Sequence, residues 1–139
     1  MVRSWRIGEL AARAGVSPKT VRYYESLGLL PAPPRSPAGY RLYGPADGER
    51  LAFIARAKAL GLALAEIREV LDLHDAGAQP CERVVAMLDH KLALIDTQLH
   101  SLASLRQELA ALRRRGSALA KADGCICGII ELGTVRAAP

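Results

Sequence analysis

Apolar residues in the first part of the chain step at three- and four-residue intervals that glycine interrupts twice. In "WRIGELAARAGVSPKTVRYYESLGLL", Ile7, Leu10, Ala11 and Ala14 share one helical face until Gly15 breaks the pattern. Ser17 and Pro18 then supply an N-cap and a first-turn proline, and "KTVRYYESLG" runs to a second stop at Gly28. Two short helices joined by a tight turn predict a helix-turn-helix. Its second helix would present Lys19, Thr20, Arg22 and Tyr23, beside the capping Ser17, at the end that such motifs insert into the DNA major groove.

The pattern changes over "PAPPRSPAGYRLYGPAD". Prolines 31, 33, 34, 37 and 45 remove donors and exclude helix, and "GYRLY" alternates as a strand does, which predicts a small β-wing carrying Arg41 toward a phosphate backbone. Helical periodicity returns in "ERLAFIARAKALG" and "LAEIREVLDLHDAG", each closed by glycine. From Pro80 a helix without internal glycine or proline is predicted as far as Arg115, with an irregular segment after Gly116. Along it Leu88, Leu92, Ile95, Leu99, Leu102, Leu105, Leu109 and Leu112 form a coiled-coil seam. A single leucine stripe on so long a helix needs a partner, and homodimerisation is the expectation. The fold class read from these patterns is all-α with a small β-wing. A winged helix-turn-helix head with two linker helices occupies 1–75, and a long coiled-coil dimerisation helix with a C-terminal loop occupies 76–139.

Charge sharpens the division. Residues 1–45 hold seven basic and two acidic side chains, whereas the remaining chain balances twelve of each. All four tyrosines and the only tryptophan lie in that basic third, as expected of a nucleic-acid-binding head on a neutral body. No apolar run approaches the roughly 20 residues that span a bilayer, and the start does not read as a signal peptide, so a cytoplasmic protein without membrane contact is expected. Three cysteines, an odd number, do not make a disulfide framework; they are buried fillers, redox groups or metal ligands. No catalytic constellation is apparent, and no enzyme is expected.

Taken together, "RIGELAARAGVSPKTVRYYESLGLL", "GYRLY", "ALGLALAEIREVL" and a long helix that begins near a cysteine resemble the MerR family of bacterial transcription regulators, over nearly the whole chain. The resemblance implies DNA contact through Arg22, Tyr23, Tyr24, Arg41 and Tyr43. It also implies promoter DNA shared with RNA polymerase, and a dimer whose head geometry responds to an inducer. One departure is Ala63, where family members often place the Ser or Thr that caps the fourth helix.

The cysteines fit the heavy-metal-sensing branch of that family, in which Cys81 marks sensors of divalent ions. A helix from Cys81 to Arg115 is about 50 Å long, while the ten residues from Arg115 to Cys125 reach back at most about 35 Å. Cys81 would therefore meet Cys125 and Cys127 of a partner chain rather than its own, across an antiparallel pair. The start of a helix suits an anionic ligand, and thiolates suit Zn, Cd, Pb or Hg better than Mg or Ca. Relatives that sense divalent ions usually carry a further cysteine near Arg113 to Gly116. None is present here, so Cys125, a water or a histidine (His74, His90 or His100, with His74 nearest in sequence) would complete the site. The function expected is a homodimeric regulator that activates a metal resistance or efflux operon. The alternative is a regulator of the same type that responds to a small organic ligand or redox signal, with incidental cysteines.

Overall fold

A computed structural model describes residues 4–119, 124 and 126–133. Its helices are α1 (Ile7–Ala14), α2 (Pro18–Ser26), α3 (Pro45–Ala59), α4 (Leu64–Asp75), α5 (Cys81–Leu119) and α6 (Gly128–Leu132). The chain divides into two compact units, Met1–Val84 and Val85–Pro139.

In the first unit the predicted stops operate as glycine stops should. Gly15 adopts φ +69°, a left-handed conformation open to glycine without strain, and Val16 then returns its N–H to the Ala11 carbonyl at 3.0 Å. Ser17 caps α2 by accepting from the Thr20 amide at 3.1 Å. At the other end Gly28, at φ +76°, turns Leu29 and Leu30 inward. Those leucines join Leu10, Val21, Leu51, Ile54, Ile67 and Val70 in the core between α1, α2, α3 and α4.

The wing is smaller than "GYRLY" suggests. Instead of a ladder there are two isolated antiparallel bridges, Arg35 with Arg41 and Trp5 with Tyr43. Prolines 33, 34 and 37 lack the donors a longer ladder requires. A turn at Ser36 to Gly39 closes the arm, with Ser36 donating to the Tyr40 carbonyl at 2.7 Å. Pro45 does not belong with the prolines that exclude helix. It is the first residue of α3, where its missing N–H has no helical partner to lose, so the helix begins four residues before Glu49. At the start of α4, Ala63 supplies no side-chain cap. Glu66 reaches back instead to accept from the Ala63 amide at 2.9 Å, which is half of a capping box.

Arg50 of α3 ties three segments of this unit. Its Nε donates to the Leu29 carbonyl at 2.5 Å, and its terminal nitrogens hold both carboxylate oxygens of Asp75 at 2.8 and 2.9 Å. Arg83, in the first turn of α5, makes a similar fork on Glu69 of α4 at 2.5 and 3.2 Å. Each arginine holds its partner carboxyl below the usual range, chiefly through the hydrogen bond it donates.

In the second unit α5 does not end at Gly116, as the sequence suggests, but continues to Leu119. The glycine is buried, and a Cβ there would lie 3.2 Å from Ile129 Cδ1, so its small size admits α6 against the helix. Gly133 closes the same contact; a Cβ on it would sit 2.1 Å from Leu112 Cδ1. The preference cost of glycine inside a helix, about 1 kcal/mol, is offset by that packing. Helix α6 is not visible in the sequence pattern. Along α5 the seam residues Leu92, Ile95, Leu99, Leu102, Leu105 and Leu109 are exposed in the single chain.

Candidate nucleic-acid interface and cysteine positions

Helix α2 separates its side chains by face. Val21 and Tyr24 point into the core, while Lys19, Arg22 and Tyr23 are exposed, Tyr23 at 53%. Thr20 is half-buried, and its hydroxyl lies 2.9 Å from the capping Ser17 Oγ, so these two residues serve the helix end itself. Of the residues anticipated on α2, Lys19, Arg22 and Tyr23 are the ones whose side chains are exposed. Tyr24 shapes the core behind them, with its hydroxyl 3.4 Å from Lys58 Nζ.

The wing shows the same separation. Arg41 is about one-third exposed, and its Nε lies 3.5 Å from Glu25 Oε2. Tyr43, expected to touch DNA, is 1% exposed. Its ring fills the core, its hydroxyl donates to Glu25 Oε1, and its main chain exchanges hydrogen bonds of 2.8 and 2.9 Å with Trp5. Burial first, and then the bond to Glu25, push the phenol well above its ordinary titration range. Tyr43 thus packs beneath the wing with almost none of its ring exposed, and Arg41, two residues earlier, lies on the same side of the extended segment, so both reach Glu25.

Four arginines meet where α2, the wing and the N-terminal arm adjoin. Arg6, Arg22, Arg35 and Arg41 line a shallow concavity of about 160 Å³ together with Ile7, Gly39 and Tyr40. The Arg6 guanidinium stacks on the Tyr40 ring at 3.7 Å from its centroid, and Arg35 donates to the Gly39 carbonyl at 2.9 Å. Such a basic hollow can take a phosphate oxygen through forked donors. Arg6 and Arg35 belong to the basic third of the chain, but nothing in their local sequence gives them a site. Their convergence depends on the wing folding back, which no local spacing encodes. The one available signal was the clustering of arginine with aromatics in that segment.

The two described cysteines each lie at the start of a helix. Cys81 is the first residue of α5 and is exposed. Cys127 caps α6; its N–H donates to Glu131 Oε2 at 2.9 Å, its carbonyl accepts from Ile130 and Glu131, and it is half-exposed. Cys125, the third expected ligand, lies outside the described residues. Among the described residues no three His, Cys, Asp or Glu side chains converge within the chain as a metal cluster. His74, the expected helper, sits exposed on the last turn of α4 beside a hollow lined by Phe53, Leu71 and Pro80. Among the described residues no helix is long and apolar enough to cross a membrane.

Comparison with known proteins follows the same outline. A family model described as "MerR HTH family regulatory protein" matches residues 5–73, and one described as "MerR, DNA binding" matches residues 49–112. Over 98 residues the chain is 37% identical to the "HTH-type transcriptional regulator ZntR homolog" of Haemophilus influenzae, covering 70% of this chain and 73% of that protein. It is 40% identical over 98 residues to the "Mercuric resistance operon regulatory protein" of Bacillus cereus, covering 70% and 74%. Among solved structures, the transcription regulator PbrR691 from Ralstonia metallidurans CH34 in complex with lead(II) superposes with a TM-score of 0.75. The two share 40% identity over 92% of this chain and 98% of that one.

Proposed function

Because the chain belongs to the MerR family of helix-turn-helix regulatory proteins, we propose that it is a homodimeric, metal-responsive transcription regulator. Residues 1–75 would form the DNA-binding part, and residues 76–139 the dimerisation and metal-binding part. Lys19, Arg22, Tyr23 and Arg41, with Arg6 and Arg35, would face promoter DNA. Tyr24, Tyr43 and the Ser17–Thr20 cap would hold them in place. Two heads related by a two-fold axis imply a near-palindromic operator, shared with RNA polymerase.

The observation that carries this reading is the exposed seam of α5 headed by an exposed Cys81. A 39-residue helix is about 58 Å long. The eight residues from Leu119 to Cys127 reach at most about 28 Å. A start-to-end ligand set would therefore come from two chains in antiparallel pairing. Cys81 of one subunit with Cys125 and Cys127 of the other would hold a divalent soft ion, Zn, Cd, Pb or Hg. The donor chemistry fits such an ion: an exposed thiol at a helix start and a half-exposed thiol whose backbone is anchored by Glu131. Bound there, the ion supplies a thiolate link between subunits and favours one dimer geometry over another, and it need not alter DNA affinity greatly. A resistance or efflux operon is the expected target, in keeping with the mercury and lead named for relatives.

Titration of the reduced protein with each of the four ions, followed by thiolate-to-metal absorption, tests the metal reading. Uptake of one ion per chain that Cys81→Ser abolishes is expected; absence of uptake overturns it. For DNA, Arg22→Ala is expected to weaken promoter binding while sedimentation still reports a dimer.

A further inference from the structure

Glu25 is one of only two acids in the basic first 45 residues. The other, Glu9, pairs with Arg13 on the surface of α1. Glu25 differs in being largely enclosed, with its side chain 12% exposed, and in using its two oxygens on two different partners. Oε1 accepts the Tyr43 hydroxyl, and Oε2 faces Arg41 Nε at 3.5 Å. Tyr43 is bonded through its main chain to Trp5 in both directions, and Arg41 bridges to Arg35. One carboxylate on the last turn of α2 thus joins that helix to the returning arm of the wing. Through the bridges it also reaches the N-terminal arm.

A negative charge beside a surface meant for phosphate weakens sequence-independent attraction, because it cancels one of the cations that displace counterions. Such a charge is a net gain only if it improves geometry. Arginine has a long side chain with many rotamers, and engaging its Nε leaves the terminal nitrogens of the fork to point outward. The tie to Tyr43 sets where the wing backbone carries that arginine. Resting on the DNA-binding reading above, we propose that Glu25 is a positioning residue for DNA recognition. It holds the spacing between Arg41 on the wing and Arg22 on α2, so that both meet the backbone in register, and gives up indiscriminate affinity to do so.

The test compares the full-length protein on a duplex of its own promoter and on a scrambled duplex of equal length, by fluorescence anisotropy across a salt series. Glu25→Gln keeps an acceptor for Tyr43 and removes the charge. Binding to the scrambled duplex is expected to tighten, with a log–log salt slope steeper by about one ion. The promoter-to-scrambled ratio is expected to fall about tenfold, the scale of one charge-assisted hydrogen bond. Tyr43→Phe removes only the hydroxyl and leaves the Arg41 pair, so the ratio should fall while the salt slope stays at the wild-type value. An unchanged ratio in both variants overturns the inference. So does a parallel loss on both duplexes accompanied by an early thermal transition, because that pattern reports folding alone. If the wild-type protein fails to prefer its promoter, the DNA-binding reading falls first and takes this inference with it; a wild-type preference that survives both substitutions removes the inference alone.

Discussion

Leu99→Ala gives the sharpest test of the proposed dimer. In the single chain Leu99 is 59% exposed at the middle of the α5 seam. Burying a whole leucine side chain stabilises by about 1.5–3 kcal/mol. Covering a little over half of one is therefore worth about 1–1.5 kcal/mol per copy. A symmetric dimer contains the substitution twice, so the loss is about 2–3 kcal/mol, or roughly 30- to 150-fold in the dimer dissociation constant. Leucine and alanine have similar helix preference, so α5 itself should persist. Leu94 is the internal control: it is 51% exposed on the same helix but lies off the seam. Sedimentation equilibrium over a concentration series, with far-ultraviolet circular dichroism to follow helix content, should show Leu99→Ala dissociating and Leu94→Ala retaining the wild-type constant. Equal constants for the two variants would refute the assignment of that face to a partner helix.

Other substitutions probe individual contacts. Ala63→Ser should add the missing cap to α4 and raise stability by about 0.5–1 kcal/mol, read as a higher urea midpoint with an unchanged slope. Gly133→Ala places a methyl against Leu112 and the Ile129 carbonyl; an overpacking cost of about 1–3 kcal/mol should speed amide exchange in α6 and leave α3 protected. Asp75 has its titration lowered from 3.8 by the hydrogen bond from Arg50, so this bond contributes stability above that value and loses it as pH falls through the lower folded one. Because Asp75 is half-exposed the contribution is under about 1 kcal/mol, and Asp75→Asn should flatten the urea-stability profile as pH falls below about 4.

The residues explain which parts of this structure could be read early. Gly15, Ser17, Pro18 and Gly28 act on their own backbone neighbourhood, so the bounds of α1 and α2 were open to local reading. The same holds for the leucine seam, whose three- and four-residue steps state a helical face directly. Pro45 shows the limit of such rules: identical chemistry excludes a helix interior and favours a helix start, and only the neighbouring backbone chooses between them. Gly116 is the parallel case. It marks a stop in a sequence and a packing slot in the folded chain, because Ile129 arrives from a segment with no periodic signal of its own.

The linear order of residues was enough to establish a mainly helical chain with a basic, aromatic-rich head, a long helix with one apolar stripe and thiols at its two ends, because propensity, capping and charge are properties of short stretches. Tertiary structure alone decided which of those side chains face outward. It buried Tyr43 and Tyr24, brought Arg6 and Arg35 beside Arg22 and Arg41, and set Glu25 between helix and wing. Those outcomes depend on the wing folding back across residues far apart in sequence, where what is buried is determined by the volume left between packed elements rather than by the identity of the residue.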